Sequence, residues 1–150
     1  MKSRVLILLI SLLVFATAAA AQNPKLEGAY KFVSVKFPGG QQTEANTKGM
    51  IVVHRKYIAF VSAGVDRKTW TQEEPETDRH KKIVAAYQGL RATAGTFDIQ
   101  GNVITIHQLA QANPETMGKP SKWEFKLEGN KLMLKPGGNA DVEFTFERLP

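Results

Sequence analysis

The chain has no cysteine, which removes disulfide staples, thiolate metal ligands and cysteine nucleophiles at once. Histidine is scarce too. His54, His80 and His107 lie far apart, with no His-x-His or Glu-x-x-His pair, so no metal site and no cofactor are expected. Gly-x-Ser-x-Gly is missing, and Ser34, Ser62 and Ser121 sit in no nucleophile-elbow context. Pro38-Gly39-Gly40 and Pro136-Gly137-Gly138 lack the Lys-Ser/Thr and following helix of a phosphate loop and read as turns. These absences leave no ready-made catalytic constellation. No Asn-x-Ser/Thr sequon occurs either.

Long hydrophobic runs are confined to the front end. Lys2 and Arg4 precede an apolar run from Val5 to Phe15, and Ala19-Ala20-Ala21 offers an A-x-A cleavage site before Gln22. That order of charge, apolar core and small residues is a secretory signal, residues 1–21, cleaved between Ala21 and Gln22. The core falls short of the ~20 residues of a spanning helix. The expected mature part, residues 22–150, carries no second span and would be secreted or periplasmic. Its size suits one domain with a core of its own.

The formal charge is +6 and falls to +4 once Lys2 and Arg4 are removed. The basic residues are scattered and read as a solvated surface. A nucleic-acid groove would set them among exposed aromatics on one face, so no nucleic acid is expected, and the domain is expected to be a monomer.

Two stretches repeat one pattern. Phe97-Asp98-Ile99-Gln100-Gly101-Asn102-Val103-Ile104-Thr105-Ile106 reappears as Phe125-Lys126-Leu127-Glu128-Gly129-Asn130-Lys131-Leu132-Met133-Leu134. Each is a period-two apolar run, a Gly-Asn pair and a second period-two run, the signature of a β-hairpin with glycine at the positive φ of a II′ turn. Ile99 then faces Ile104, Phe97 faces Ile106, Leu127 faces Leu132 and Phe125 faces Leu134.

Further alternating runs predict strands at Tyr30 to Phe37, Met50 to His54, Tyr57 to Ser62 and Val142 to Arg148. With the hairpins these make eight. A helix is expected between strands 3 and 4. Thr71-Gln72-Glu73-Glu74 looks like its capping box, Pro75 its first turn, Ile83, Val84, Tyr87 and Leu90 its apolar stripe and Gly89 its C-cap. Glu73-Glu74 and Glu76-Asp78 then read as acids at a helix N-terminus rather than as catalytic pairs. Eight strands in meander order avoid two open edges by closing into an all-β, up-and-down antiparallel barrel.

Leu26-Glu27-Gly28-Ala29-Tyr30 stands where lipocalin-like proteins carry Gly-x-Trp on the first strand. Gly49-Met50-Ile51-Val52-Val53, Tyr57-Ile58-Ala59-Phe60, the helix, Ala94-Gly95-Thr96-Phe97, His107 to Gly118 and Arg148 on the last strand follow in the order of such domains. Over most of residues 22–150 the chain resembles the bacterial lipocalin-like domains of the calycin superfamily, with Tyr30 in place of tryptophan. The resemblance implies a barrel that binds a small hydrophobic molecule.

Strand parity points Phe32, Phe97, Ile106, Gln108, Trp123, Phe125 and Phe144 inward as the expected ligand-binding set, with Ser34 and Lys36 as further inner polar groups. His107 takes the outer face. Tyr30 and Arg148 are expected to pack at the closed end as a cation–π pair. The function that follows is binding or carrying a small apolar ligand, without catalysis. The alternatives are a calycin-type isomerase or cyclase, for which Lys36 is the inward ionisable group, and a protein-interaction or inhibitor module acting through Ala63 to Gln72 with Trp70 exposed.

Overall fold

Alternation of apolar and polar residues, broken by glycine-led turns, folds the described residues into nine antiparallel strands, eight of which close on themselves. The computed structural model describes residues 25–139 and 141–150. The expected signal, residues 1–21, and its cleavage site lie outside the described residues. The strands are β1 (Gly28–Phe37), β2 (Gly40–Thr43), β3 (Thr47–His54), β4 (Tyr57–Gly64), β5 (Leu90–Gln100), β6 (Val103–Gln111), β7 (Ser121–Glu128), β8 (Lys131–Pro136) and β9 (Glu143–Arg148). Helix α1 (Glu76–Gln88) joins β4 to β5, and a single 3₁₀ turn (Pro114–Thr116) interrupts the β6–β7 connection.

Their order is β2-β1-β3-β4-β5-β6-β7-β8-β9, with β1 also paired to β9. That last pairing closes β1 and β3 to β9 into an eight-stranded barrel. The short β2 folds back from the Pro38-Gly39 turn onto the second half of β1. It shifts the expected numbering: α1 lies between β4 and β5, not between strands 3 and 4. Gly40-Gln41-Gln42-Thr43 has no apolar alternation, which is why period alone does not reveal it.

The repeated hairpins have the expected register, Ile99 opposite Ile104 and Phe97 opposite Ile106, then Leu127 opposite Leu132 and Phe125 opposite Leu134. Gly101 and Gly129 take φ of 61° and 58°, the conformation that a side chain resists at the first position of a II′ turn.

Two β-bulges change which side chains face in. On β1, Phe32 pairs with Phe146 but Ser34 pairs with Thr145, so Val33 is the extra residue. Beyond it Val35 faces Phe144 and is buried, while Lys36 is exposed. Parity alone places Lys36 inside; the bulge turns it out. On β6, Gly95 faces Gln108 and Ala94 faces Ala110, so Leu109 is extra and points to water. His107 precedes this bulge and stays on the outer face, its Nε2 2.7 Å from Asp98 Oδ2.

Helix α1 is held more loosely than its stripe predicts. Pro75 is the N-cap and makes no side-chain cap bond, so Thr71 to Glu74 lies ahead of the helix and is not its capping box. Thr71 hydrogen-bonds Glu73 instead and holds that carboxyl below its usual pKa. Glu76 and Asp78 do occupy the first turn, and Gly89 caps the end through its N–H to Ala85. Ile83, Val84 and Tyr87 are exposed, and Ala86 is the buried residue of the helix. The Tyr87 hydroxyl donates to the Ala112 carbonyl, tying the helix to the β6 end of the barrel.

A charge placed in the stripe therefore meets water. Ile83→Asp is expected to change stability by no more than about 0.5 kcal/mol, whereas Ala86→Asp buries an unpaired carboxylate and costs several kcal/mol. Urea midpoints of the two variants check this, and a large loss at Ile83 would show that α1 is clamped to the wall.

Candidate functional site

The two ends of the barrel differ in chemistry. At the end where β1 begins, Leu26 is fully buried and plugs the opening. The Tyr30 hydroxyl donates to the Leu26 carbonyl at 2.9 Å. Arg148, arriving on β9, lays its guanidinium over the Tyr30 ring, 4.6 Å from the centroid. It donates to the carbonyls of Lys25 and Glu27 and to the Tyr30 hydroxyl. Gly28 leaves room for this: its φ is 144°, and a Cβ there would run into the guanidinium. This end is a lock rather than an entrance.

Above it the barrel is filled by its own side chains. Phe32 meets Phe146 edge-on at 6.0 Å, and Phe146 meets Phe60 at 5.8 Å. Phe97 and Phe125 join the same core cluster. The residual void, between Phe60, Ile106, Trp123 and Phe144, is about 30 Å³, which is room for little more than a water molecule.

The opposite end is open. β6 and β7 pair only between Val103–Ile106 and Ser121–Glu124. Past that point β6 runs on to Gln111 paired with β5 but not with β7, and the Ala112–Pro120 connection swings wide around a cavity of about 440 Å³. This lies within the usual range for small-molecule sites, roughly 300–1,000 Å³. Phe60, Trp123 and Phe144 form its apolar floor. Trp123 lies 5.7 Å from Phe144, which lies 6.1 Å from Phe60, both edge-on. The rim carries Arg91 and Lys119.

One flank of the cavity is polar. Gln108 Nε2 and Trp123 Nε1 both donate to Ser121 Oγ, each at 3.2 Å. Gln111 Nε2 donates to Thr116 Oγ1 at 3.1 Å. Thr93 Oγ1 and Gln108 Oε1 are buried without a hydrogen-bond partner. An apolar floor beside unspent polar atoms suits an amphipathic small molecule.

Of the residues that parity nominates, Gln108, Trp123 and Phe144 come together at this mouth. Ile106 lines the small void beneath it. Phe32, Phe97 and Phe125 belong to the packed core instead. Ser34 is buried on β1 opposite Thr145, beyond the bulge. Phe60 and Thr93 are lining residues outside the nominated set, although parity reaches them: Phe60 alternates with Ile58 and Ser62, and Thr93 with Gly95 and Phe97. Gln111 is invisible to parity because the Leu109 bulge reverses it. Lys119 comes from a connection with no period at all. Among the described residues, no group of three or more His, Asp or Glu side chains is arranged to hold a metal ion, and no helix is long and apolar enough to cross a membrane.

No protein-family model and no curated protein matches the sequence. Among solved structures the chain is similar to an uncharacterized protein from Bacteroides eggerthii DSM 20697, over 82% of this chain and 98% of that one, at 9% identity and a TM-score of 0.46. It is also similar to a structure described as the REP1-NXSQ fatty acid transporter, over 84% and 97% of the two chains, at 16% identity and a TM-score of 0.38. Likeness of this degree carries no argument about what the chain binds.

The lock at the closed end has a pH signature. Burial raises the Tyr30 pKa above its ordinary value of 10.0, and the Arg148 charge partly offsets this. The folded state thus favours neutral tyrosine. Its contribution to stability is intact below the unfolded-state pKa, near 10, and is lost as pH rises through the higher folded-state value. Melting temperature should fall above about pH 10, and Tyr30→Phe should shallow that fall while lowering stability at neutral pH through loss of the Leu26 bond. An unchanged alkaline slope in the variant would overturn the assignment.

Proposed function

We propose that this chain is an exported, lipocalin-like barrel that binds and carries a small apolar ligand in its open mouth. The observation that carries the reading is the cavity of about 440 Å³ floored by Phe60, Trp123 and Phe144, set on a barrel whose far end is locked. The signal-like order of residues 1–21 supports export. The expected ligand set contracts accordingly: Gln108, Trp123 and Phe144 contact the ligand, and Phe32, Phe97, Ile106 and Phe125 hold the floor beneath it.

The isomerase or cyclase alternative loses its proposed inner group, because Lys36 is exposed. The interaction-module reading has one observation in its favour, the exposure of Val65 and Trp70 in the connection that follows β4.

Fluorescence separates the two readings. Trp70→Phe leaves Trp123 as the sole tryptophan. A ten-carbon fatty acid or alcohol should then shift its emission saturably and raise the melting temperature, by about 2.7 kcal/mol of added stability at a hundred times the dissociation constant. By calorimetry, Trp123→Ala should weaken binding roughly tenfold through lost aromatic contact, and Glu73→Ala, ahead of the helix, should not. Absence of any saturable response would remove the carrier reading and leave the interaction module.

A further inference from the structure

We propose that the mouth selects uncharged amphiphiles headed by a hydroxyl group, held between Thr93 and Gln108. The proposal rests on the ligand-binding reading above and adds the chemistry of the ligand's head.

Thr93 Oγ1 and Gln108 Oε1 are the buried side-chain polar atoms that find no partner among the described residues, and both residues line the same cavity. Gln108 is opposite Gly95 in the β5–β6 register, and Thr93 lies two residues along β5 on the same face. The two side chains are therefore diagonal neighbours, a spacing that side chains can bridge. The Gln108 amide is anchored by its nitrogen. Nε2 donates to Ser121 Oγ, an oxygen that also accepts from Trp123 Nε1. The amide oxygen is what remains unspent.

A buried acceptor without a donor destabilises whatever holds it, so a ligand that supplies the donor gains that difference on binding. A hydroxyl serves both orphans at once: it accepts from the Thr93 hydroxyl and donates to Gln108 Oε1. An ionised carboxylate accepts from Thr93 but sets a negative oxygen against the Gln108 carbonyl. An ether accepts from Thr93 and leaves Gln108 unpaired. The aromatic floor takes the alkyl body in every case, so the head decides. Arg91 and Lys119 would attract an anion, but both are exposed at the rim, where salt and water screen them.

The test is a matched series on the full chain carrying Trp70→Phe: 1-decanol, decanoate and decyl methyl ether, titrated at low ionic strength and about pH 8, where the acid is ionised. Decanol should bind about fivefold or more tightly than either of the others, the effect of one hydrogen bond. Gln108→Leu, nearly isosteric, should bring decanol down to the ether while leaving the ether's own affinity in place, whereas Thr93→Val should weaken decanol and ether alike. Decanoate binding as tightly as decanol would overturn the proposal, because Gln108 Nε2 and the rim cations would then be setting the selectivity. Equal affinity for decanol and ether would overturn it as well, by showing that the orphan atoms do not touch the head. If none of the three saturates, the ligand-binding reading itself fails, a result distinct from binding without selectivity.

Discussion

The fold depends on β1 holding three neighbours at once. Its first half pairs with β3, its second half with β2, and its other edge with β9 along nearly the whole length. The last pairing is the one that closes the sheet, and it leaves neither β1 nor β9 as an open edge. Closure brings Tyr30 opposite Arg148, residues separated by almost the entire described chain. The Arg148 fork then satisfies backbone carbonyls of the segment that carries Leu26, the plug. One pairing thus sets both the barrel and its sealed end.

With that end sealed and the middle filled, the size of the cavity depends on how far β6 and β7 stay together. Their ladder is short, and the splay beyond it opens the cavity that Trp123 and Phe144 line. The aromatic column from Phe32 through Phe146 and Phe144 to Trp123 is continuous. Only its upper end meets open space. The same residue types are therefore packed core at one level and cavity floor at the next, and depth in the barrel separates the two.

That distinction explains which parts of the molecule can be read from sequence. The hairpins at Gly101-Asn102 and Gly129-Asn130 are legible because their determinants are local: period two, a turn glycine, and apolar pairs across the loop. Arg148 and Tyr30 are legible because closure makes first and last strands neighbours whatever lies between. The bulges at Val33 and Leu109 leave no mark on the alternation, yet each reverses parity beyond itself. Lys36 is placed on the wrong face for that reason, and Gln111 is missed. The stripe of α1 fails differently. Helical period reports that Ile83, Val84 and Tyr87 share a face, but not whether a surface is there to cover it.

The outer wall differs from one flank to another. A barrel that crosses a bilayer needs apolar outward residues around its whole circumference. Here β7 points Lys122, Glu124, Lys126 and Glu128 to water, and all four are exposed. The neighbouring flank is different: Val52, Ala59, Ala94 and Ala110 are aligned across β3 to β6 on the outer face. The wall is thus apolar on one flank and ionic on the next. From Val103 to Ile106, β6 is paired with both β5 and β7, and Leu26 stops the far end. The gap where β6 leaves β7 is where the wall opens. The polar flank of Thr93, Gln108 and Ser121 and the aromatic floor of Phe60, Trp123 and Phe144 line this one opening, so the gap in the ladder and the chemically mixed surface fall at the same place in the fold.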